Sequence, residues 1–305
     1  MTAGTGYFKK SVGHCIKGTR QVYTLIGQMK GMFKIDDMCR VFGVARSGYY
    51  SWSTRPLSAH DQQEITVIKP AIRQAFEESR HTYGCARISA VLRRIGICIS
   101  EKRSRRIMGE EHLVPKAANR FKRTTDSNHG HKKAPDLVKQ DFSSPKPHTL
   151  WTSDFTAIWT REGWLYLVVF LDVCTRMVVG WAASATMAEG TLIKAFNDAL
   201  SKRIPLPSAI VHSDQGGQYF GKLFKAILSL YHVRQSMGAT GICFDNAITE
   251  SLWNTLKTEC FLEIIPETRK EAELMIFDYF ETFYNAERLH SSIGYMSPEE
   301  FEKTL

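Results

Sequence analysis

Apolar residues recur at helical intervals through the first third of the chain and gather into short runs bounded by turn residues from Leu150 onward. The pattern therefore predicts helices first and mixed α/β structure afterwards. Residues 1–30 show little periodicity and read as a frayed start that becomes helical near Val22. Between Ile35 and Trp52, Met38, Val41 and Phe42 fall on one helical face, Gly43 supplies a turn, and residues 47–52 begin a second helix. That is the outline of a helix-turn-helix. After a polar break at 53–58, Ile65, Ile68, Ile72, Ala75 and Phe76 predict a further helix that restarts or kinks at Pro70, because proline removes an interior helical hydrogen bond. Ile88, Val91, Leu92 and Ile95 then stand at i, i+3, i+4 and i+7, with Gly96 closing that helix and Ser100 capping the next. Residues 116–148 hold few large apolar side chains, several lysines and arginines, and Pro135, Pro145 and Pro147, and read as an extended basic linker.

Strands are expected over 150–160, 164–172 and 177–183, the first two joined by a tight turn at Glu162-Gly163. A helix follows over 190–201, with Leu192, Ile193, Phe196 and Leu200 at helical spacing. A brief apolar strand at 209–212 runs into Ser213-Asp214, and then come a helix over 220–230, a strand at 232–235 and a loop over 236–244. A helix starting near Asp245 and a final helical stretch over 269–287 complete the pattern, the latter offering Leu274, Phe277, Tyr279, Phe280 and Phe283 for packing. His290 and Tyr295 read as structural, and Ser297-Pro298-Glu299-Glu300 as the start of a last short helix.

Charge divides this picture in two. Residues 1–149 carry 27 Lys and Arg against 12 Asp and Glu, or +15, whereas residues 150–305 carry 13 against 19, or −6. The front half suits a polyanion, and the rear half collects carboxylates. Seven cysteines without a Cys-x-x-Cys pair indicate neither a disulfide framework nor a zinc finger, and Cys39 and Cys98, set among apolar residues, read as core hydrophobes. No signal-like or membrane-length apolar run is present, which points to a cytoplasmic protein.

Three stretches carry the candidate chemistry: Trp151-Thr-Ser-Asp154 in the first strand, His212-Ser-Asp214-Gln-Gly-Gly-Gln-Tyr219 at the end of a buried strand, and Asp245-Asn246-Ala-Ile-Thr-Glu250 at a helix start. Converging carboxylates suit hard divalent cations, and two such ions can stabilise both the attacking and the leaving oxygen at phosphorus. Asn246, Glu250, Trp253, Asn254 and Lys257 share roughly one helical face, so a metal ligand and a cation for a DNA backbone lie on the same side. Asp245 reads as a cap instead. Taken singly, Asp154 and Asp214 read equally well as turn or strand-end residues, and Glu250 and Lys257 as solvated helix positions. In the basic half, Lys102, Arg105 and Arg106 share a helix face beside Arg103 while Ile107 and Met108 turn inward. A charged face is usually just solvated, but here it follows a helix-turn pattern and reads as a recognition helix. Arg46, Tyr49 and Tyr50 either face phosphate or pack.

The ordered set, with 35 residues between Asp214 and Glu250 and Lys257 seven beyond, resembles the DDE transposases of bacterial insertion sequences. It is most similar to the second-reading-frame product of the insertion sequence 3 family, whose core is related to retroviral integrases. The resemblance also includes the stretch from Cys39 to Trp52, Tyr83-Gly-Cys-Ala-Arg-Ile88, Gly163-Trp-Leu-Tyr166, Val179-Gly-Trp181 and Arg288-Leu-His-Ser-Ser-Ile-Gly-Tyr-Met-Ser-Pro298. It implies an α/β chain with a ribonuclease-H-like mixed-sheet catalytic core preceded by all-α helix-turn-helix regions. Asp154, Asp214 and Glu250 would bind two Mg²⁺ or Mn²⁺ ions, and water and then a DNA 3′-hydroxyl would attack phosphodiester bonds without a covalent enzyme intermediate. Joining one element end to the other would give a circular intermediate that later inserts into target DNA. Lys257 corresponds to a cation that holds the element end. The His/Cys zinc module of retroviral integrases has no counterpart in the spacing, so no zinc is expected.

These readings together give a helix-turn-helix region over 1–60, a second DNA-binding helical region over 61–115, a linker over 116–148, the catalytic core over 149–265 and a helical extension over 266–305. The implied partners are double-stranded DNA at element ends and target, further copies of the chain within a DNA complex, and an upstream-frame (OrfA-type) protein or fusion, with no membrane. A nuclease of the same fold and a DNA-binding regulator with a degenerate core are the alternatives to be separated from a transposase.

Overall fold

The computed structural model describes residues 18–56, 58–116, 134–138, 142, 144–238 and 247–305. The chain divides into two compact units, residues 1–69 and 70–305.

In the first unit, α1 (Thr19–Met29), α2 (Ile35–Phe42) and α3 (Arg46–Thr54) enclose a small core of Ile26, Met38, Cys39 and Tyr49. Gly43 ends α2 in the left-handed conformation, φ 68°, and donates its N–H back to the Arg40 carbonyl, which makes the sharp turn the sequence implied. The short helix α4 (Ala59–Gln63) is capped by Ser58, and Asp61 pairs with Arg20 of α1 at 3.0 Å. A π turn over Glu64–Ile68 precedes α5 (Lys69–Glu78). The α-helix thus resumes one residue before Pro70, after a wider turn, in line with the expected restart or kink there.

The second unit is built on a five-stranded mixed sheet in the order β3-β2-β1-β4-β5. Strands β1 (Leu150–Thr160), β2 (Gly163–Asp172) and β3 (Val178–Ser184) form an antiparallel meander, and β4 (Ile210–Ser213) and β5 (Arg234–Met237) add in parallel beside β1. This is the ribonuclease-H-like arrangement. Parallel addition requires crossovers, which α8 (Glu189–Lys202) and α9 (Lys222–Leu230) supply. Their apolar faces meet the sheet through Trp151, Phe170, Leu192, Phe196, Val211 and Phe224, all essentially buried. Each such side chain contributes roughly 1.5–3 kcal/mol by leaving water. The closest approach is at Gly180 of β3, where a Cβ would lie 2.4 Å from the Ala199 backbone nitrogen of α8, so only glycine lets this helix seat.

Helices α6 (Cys85–Arg94) and α7 (Glu101–Glu110) pack together through Ile88, Leu92, Ile107 and Met108, with Ser100 accepting the Arg103 N–H as the α7 cap. They belong to the same unit as the sheet through the C-terminal segment: Leu289 donates its N–H to the Tyr83 hydroxyl at 2.7 Å, Arg87 donates to the Leu289 carbonyl, and Arg94 pairs with Glu300. That segment follows α10 (Ala247–Cys260) and comprises α11 (Arg269–Phe277), a π turn over Asp278–Tyr284, and α12 (Pro298–Glu302), which opens with a capping box at Ser297 and Glu300. A buried ion pair, Arg288 to Glu259 at 2.7 Å, joins the segment to α10, and the Tyr279 hydroxyl donates to the same carboxylate.

Several expectations are corrected. Cys98 is exposed, because Ile97-Cys98-Ile99 is extended and alternation turns the two isoleucines partly inward and the thiol out. Ile95 is exposed too, since α6 ends at Arg94 and Ile95 is its cap. Leu274 and Phe277 face solvent while Tyr279, Phe280 and Phe283 are buried, the π turn having rotated the aromatic positions onto the inner side. The expected loop from 236 begins later, as Ser236 and Met237 complete β5, and residues 239–246 lie outside the described residues. The described part of the linker lies against the sheet: Val138 is buried with Leu150 and Val173, and Leu137 donates to Ser236.

Candidate active site

The pairing of β1 with β4 brings the first two carboxylates together. Ser153 pairs with Ser213 in a parallel ladder, so Asp154 follows that pair on β1 and Asp214 follows it immediately past the end of β4. Neighbouring strands run roughly 4.8 Å apart. Beyond Ser213 the chain leaves the ladder, and the Gly216 N–H turns back to hold Asp214 Oδ1 at 2.9 Å. Alternation along β1 then sorts the side chains. Trp151 and Ser153 enter the core, Ser153 bonding the Tyr219 hydroxyl at 2.9 Å, while Thr152 and Asp154 face α10.

Helix α10 lies across that face by two contacts: Thr249 Oγ1 donates to Thr152 Oγ1 at 2.8 Å, and Trp253 Nε1 donates to Asp154 Oδ2 at 2.9 Å. Glu250 and Lys257, three residues before and four after Trp253, lie along the same side of the helix and both act electrostatically on Asp154 or are acted on by it. The remaining Asp154 oxygen takes the Phe155 N–H at 2.8 Å.

The electrostatics show a site short of positive charge. Burial, then the negative charge of Asp214, push the Asp154 carboxyl up to about 7 against the Trp253 and Phe155 hydrogen bonds, and Glu250 adds to the rise. Asp214 keeps an exposed edge, yet loss of water raises it above the ordinary carboxylate range as well. Burial lowers the Lys257 ammonium, and Asp154 only partly restores it. Among the described residues no three His, Cys, Asp or Glu side chains form a finished metal cage. The donor set nevertheless fits a hard divalent cation, being oxygen-only and carrying negative charge in partial burial.

Three family models match. An integrase core domain covers residues 144–243, a second integrase core model covers 231–298, and an HTH-like domain covers 62–121, the region of α5 to α7. Transposase InsF of insertion sequence IS3A from Escherichia coli K12 is 36% identical over 281 residues, covering 92% of this chain and 98% of its own. The chain belongs to the IS3 family of insertion-sequence transposases.

A Shigella sonnei protein of insertion element IS600, named only as an uncharacterized 31 kDa protein, is 38% identical to this chain over 87% of its length and 97% of the relative's own. Among solved structures, a chain of the simian T-cell lymphotropic virus intasome aligns at 15% identity and TM-score 0.44 over 76% of this chain and 74% of its own. The HTLV-2 integrase catalytic core domain aligns at 17% and 0.36 over 52% and 97%.

Of the residues singled out in the transposase sequence, Asp154, Asp214, Glu250 and Lys257 share one neighbourhood, whereas Asn246 and Asp245, the expected cap, lie outside the described residues. Lys102, Arg105 and Arg106 stand exposed on α7, Arg103 is half-buried, and Arg106 pairs with Glu110 at 2.7 Å. Arg46 bonds Asp36 at 2.8 Å and lies over the Tyr50 ring, while Tyr49 is buried, so this group packs locally. The Trp253 indole and the Tyr219 hydroxyl are the participants that sequence reasoning passed over. The signal for Trp253 was its place one turn beyond Glu250 on the same face.

Among the described residues no helix is long and apolar enough to cross a membrane.

Proposed function

We propose that Asp154, Asp214 and Glu250 hold two divalent cations, Mg²⁺ or Mn²⁺, and that DNA strands are cut and rejoined beside them. The observation that carries this reading is the meeting of β1, β4 and α10 at Asp154, where Trp253, one turn beyond Glu250, donates to Asp154 Oδ2 and Ser153 pairs with Ser213 just before Asp214. When bound, such ions neutralise the phosphodiester and activate the attacking oxygen. The chain's own residues then do the positioning. Trp253 and the Gly216 N–H each engage one oxygen of an aspartate, which fixes the carboxylates and leaves lone pairs for ligation. Water attacks at the element's end and breaks the P–O bond to release a 3′-hydroxyl. That hydroxyl next attacks a second phosphodiester in line, one P–O bond forming as another breaks.

Lys257, on the same helix side, contacts the DNA backbone in this reading, with Asn246 beside it. Lys102, Arg103, Arg105 and Arg106 on α7, and Arg46 in the first unit, add backbone contacts. The transposase acts on its element's ends and its target as a multimer, with an upstream-frame protein or fusion, in the cytoplasm at the nucleoid. The division at residues 60, 115, 148 and 265 belongs to the same proposal.

The test is strand transfer by purified protein, with its partner, on duplexes carrying the element ends. Asp154→Asn, Asp214→Asn and Glu250→Gln should each reduce joining to background while leaving the fold intact by circular dichroism. Full activity in Asp214→Asn would overturn the ligand assignment. Products cut but never joined to a 3′-hydroxyl would instead mark a nuclease of the same fold.

A further inference from the structure

The side of α10 turned away from Asp154 borders a second concavity that the proposed chemistry does not use. A cavity of about 370 Å³ opens between α6, α10, the turn joining β2 to β3 and the segment after the second π turn. Arg87, Arg176, Arg288 and His290 line it together with the hydroxyls of Ser251 and Ser292, and among the described residues no Asp or Glu lines it.

The contacts that hold these cations leave donors unused. Arg288 places Nε and Nη2 on Glu259, and its Nη1 stands 3.3 Å from His290 Nε2. Since arginine only donates, that nitrogen is the acceptor and the His290 proton sits on Nδ1. Arg87 uses Nε on the Leu289 carbonyl and stacks over Tyr83, leaving both terminal nitrogens without an acceptor among the described residues. Arg176 is itself a left-handed turn residue, with φ 63°, and its guanidinium bonds no described residue. The acid of that turn, Asp172, already accepts N–H groups from His148, Cys174 and Thr175.

Three guanidinium charges therefore border the cavity, with Glu259 behind Arg288 and the already hydrogen-bonded Asp172 carboxylate in the turn that carries Arg176. Partly buried donors without acceptors cost stability, and burial with Arg288 nearby holds Arg87 below its usual range while burial does the same to Arg176. The same surroundings push the His290 ring down to about 2, so it stays neutral and adds no further charge. A dianion with acceptors in several directions relieves all of this at once. A carboxylate carries one charge and fills one fork, whereas a tetrahedral phosphate accepts from several guanidiniums together. At roughly 30 Å³ per water, the cavity equals about a dozen waters, room for a phosphate that carries an organic group.

We propose that this cavity is a phosphate-binding site in which Arg87, Arg176 and Arg288 hold a phosphate group across α10 from Asp154. It uses none of the carboxylates assigned above and stands or falls apart from them.

Calorimetric titration of inorganic phosphate and of pyrophosphate into the full chain, in chloride at constant ionic strength, tests it. Wild type should bind one equivalent saturably. Arg176→Gln and Arg87→Gln should each weaken binding by about tenfold or more, as expected for a lost charge-assisted bond. Arg176→Lys, which keeps the charge but not the fork, should fall between. Arg176 bonds no described residue, so its removal leaves no orphaned partner, and equal melting temperatures confirm the fold. Absence of saturable binding by wild type, or equal binding by both glutamine variants, overturns the proposal. The source of the phosphate follows from duplex DNA: an affinity that falls in Arg176→Gln assigns a backbone phosphate, and an unchanged one assigns a free phosphate-bearing ligand.

Discussion

Asp154 is a costly residue for the fold to keep. Its carboxyl is raised to about 7 from 3.8, so the folded chain binds a proton more tightly than the unfolded chain does. Stability from this group is fully present below about pH 4 and is lost as pH rises toward and through 7. In metal-free protein, Asp154→Asn should therefore melt higher than wild type at pH 8 and similarly at pH 4. The difference at pH 8 should be about 2 °C or more, since one kcal/mol moves the melting point of a unit this size by roughly 2–4 °C. Added Mg²⁺ should raise the wild-type melting point at pH 8 and leave the variant nearly unmoved. A variant that melts lower than wild type at pH 8 would show that Asp154 is not charge-starved. The place of Asp154 in the first strand, at the head of a candidate motif, was legible from its neighbours in sequence. That Trp253 holds it was not, because an indole on an amphipathic helix reads as core. Cys98 misled for a related reason: apolar neighbours imply burial only when the local period is known.

At the level of elements, boundaries were legible where glycine or a capping hydroxyl marks them, as at Gly43, Ser100 and Ser297. Two things were not. The register that sets Ser153 against Ser213 depends on tertiary pairing, and both π turns depend on how helices adjust to a proline or an aromatic cluster. Helix α7 shows a pattern and a structure in accord, since Ile107 and Met108 are buried while Lys102, Arg105 and Arg106 are exposed. If this face meets phosphates, Lys102→Ala and Arg105→Ala should weaken duplex binding broadly across sequences. Each should also lower the slope of log affinity against log salt by about 1, because one phosphate contact releases about one counterion. Arg106→Ala should have a smaller effect, its guanidinium being shared with Glu110. Filter binding between low and moderate salt reads all three, and unchanged slopes would make α7 a solvated surface.

Over the whole molecule, the basic front and acidic rear suggest a DNA-binding half followed by a catalytic half, yet the packing crosses that line. Tyr83, Arg87 and Arg94 reach Leu289 and Glu300, Arg80 pairs with Asp278 and bonds Thr282, and Lys116 donates to the Glu259 carbonyl at 3.1 Å. Removing residues 70–149 would strip partners from the Leu289 N–H and carbonyl and expose one side of the Glu259–Arg288 pair, which is buried to within 5%. Buried polar groups left unpaired cost about 1–3 kcal/mol each, and losses at several such points add up to much of a domain's stability. A fragment of residues 150–305 should therefore melt at least about 10 °C below one of residues 70–305, or fail to show a cooperative transition. The longer fragment should match the principal transition of the full chain. Equal melting points for the two fragments would show that α6 and α7 are merely attached to the core. Charge alone could not reveal this, because the contacts that cross the line are single hydrogen bonds to backbone atoms and isolated ion pairs between residues mostly about 200 positions apart, which leave no periodic trace in the chain.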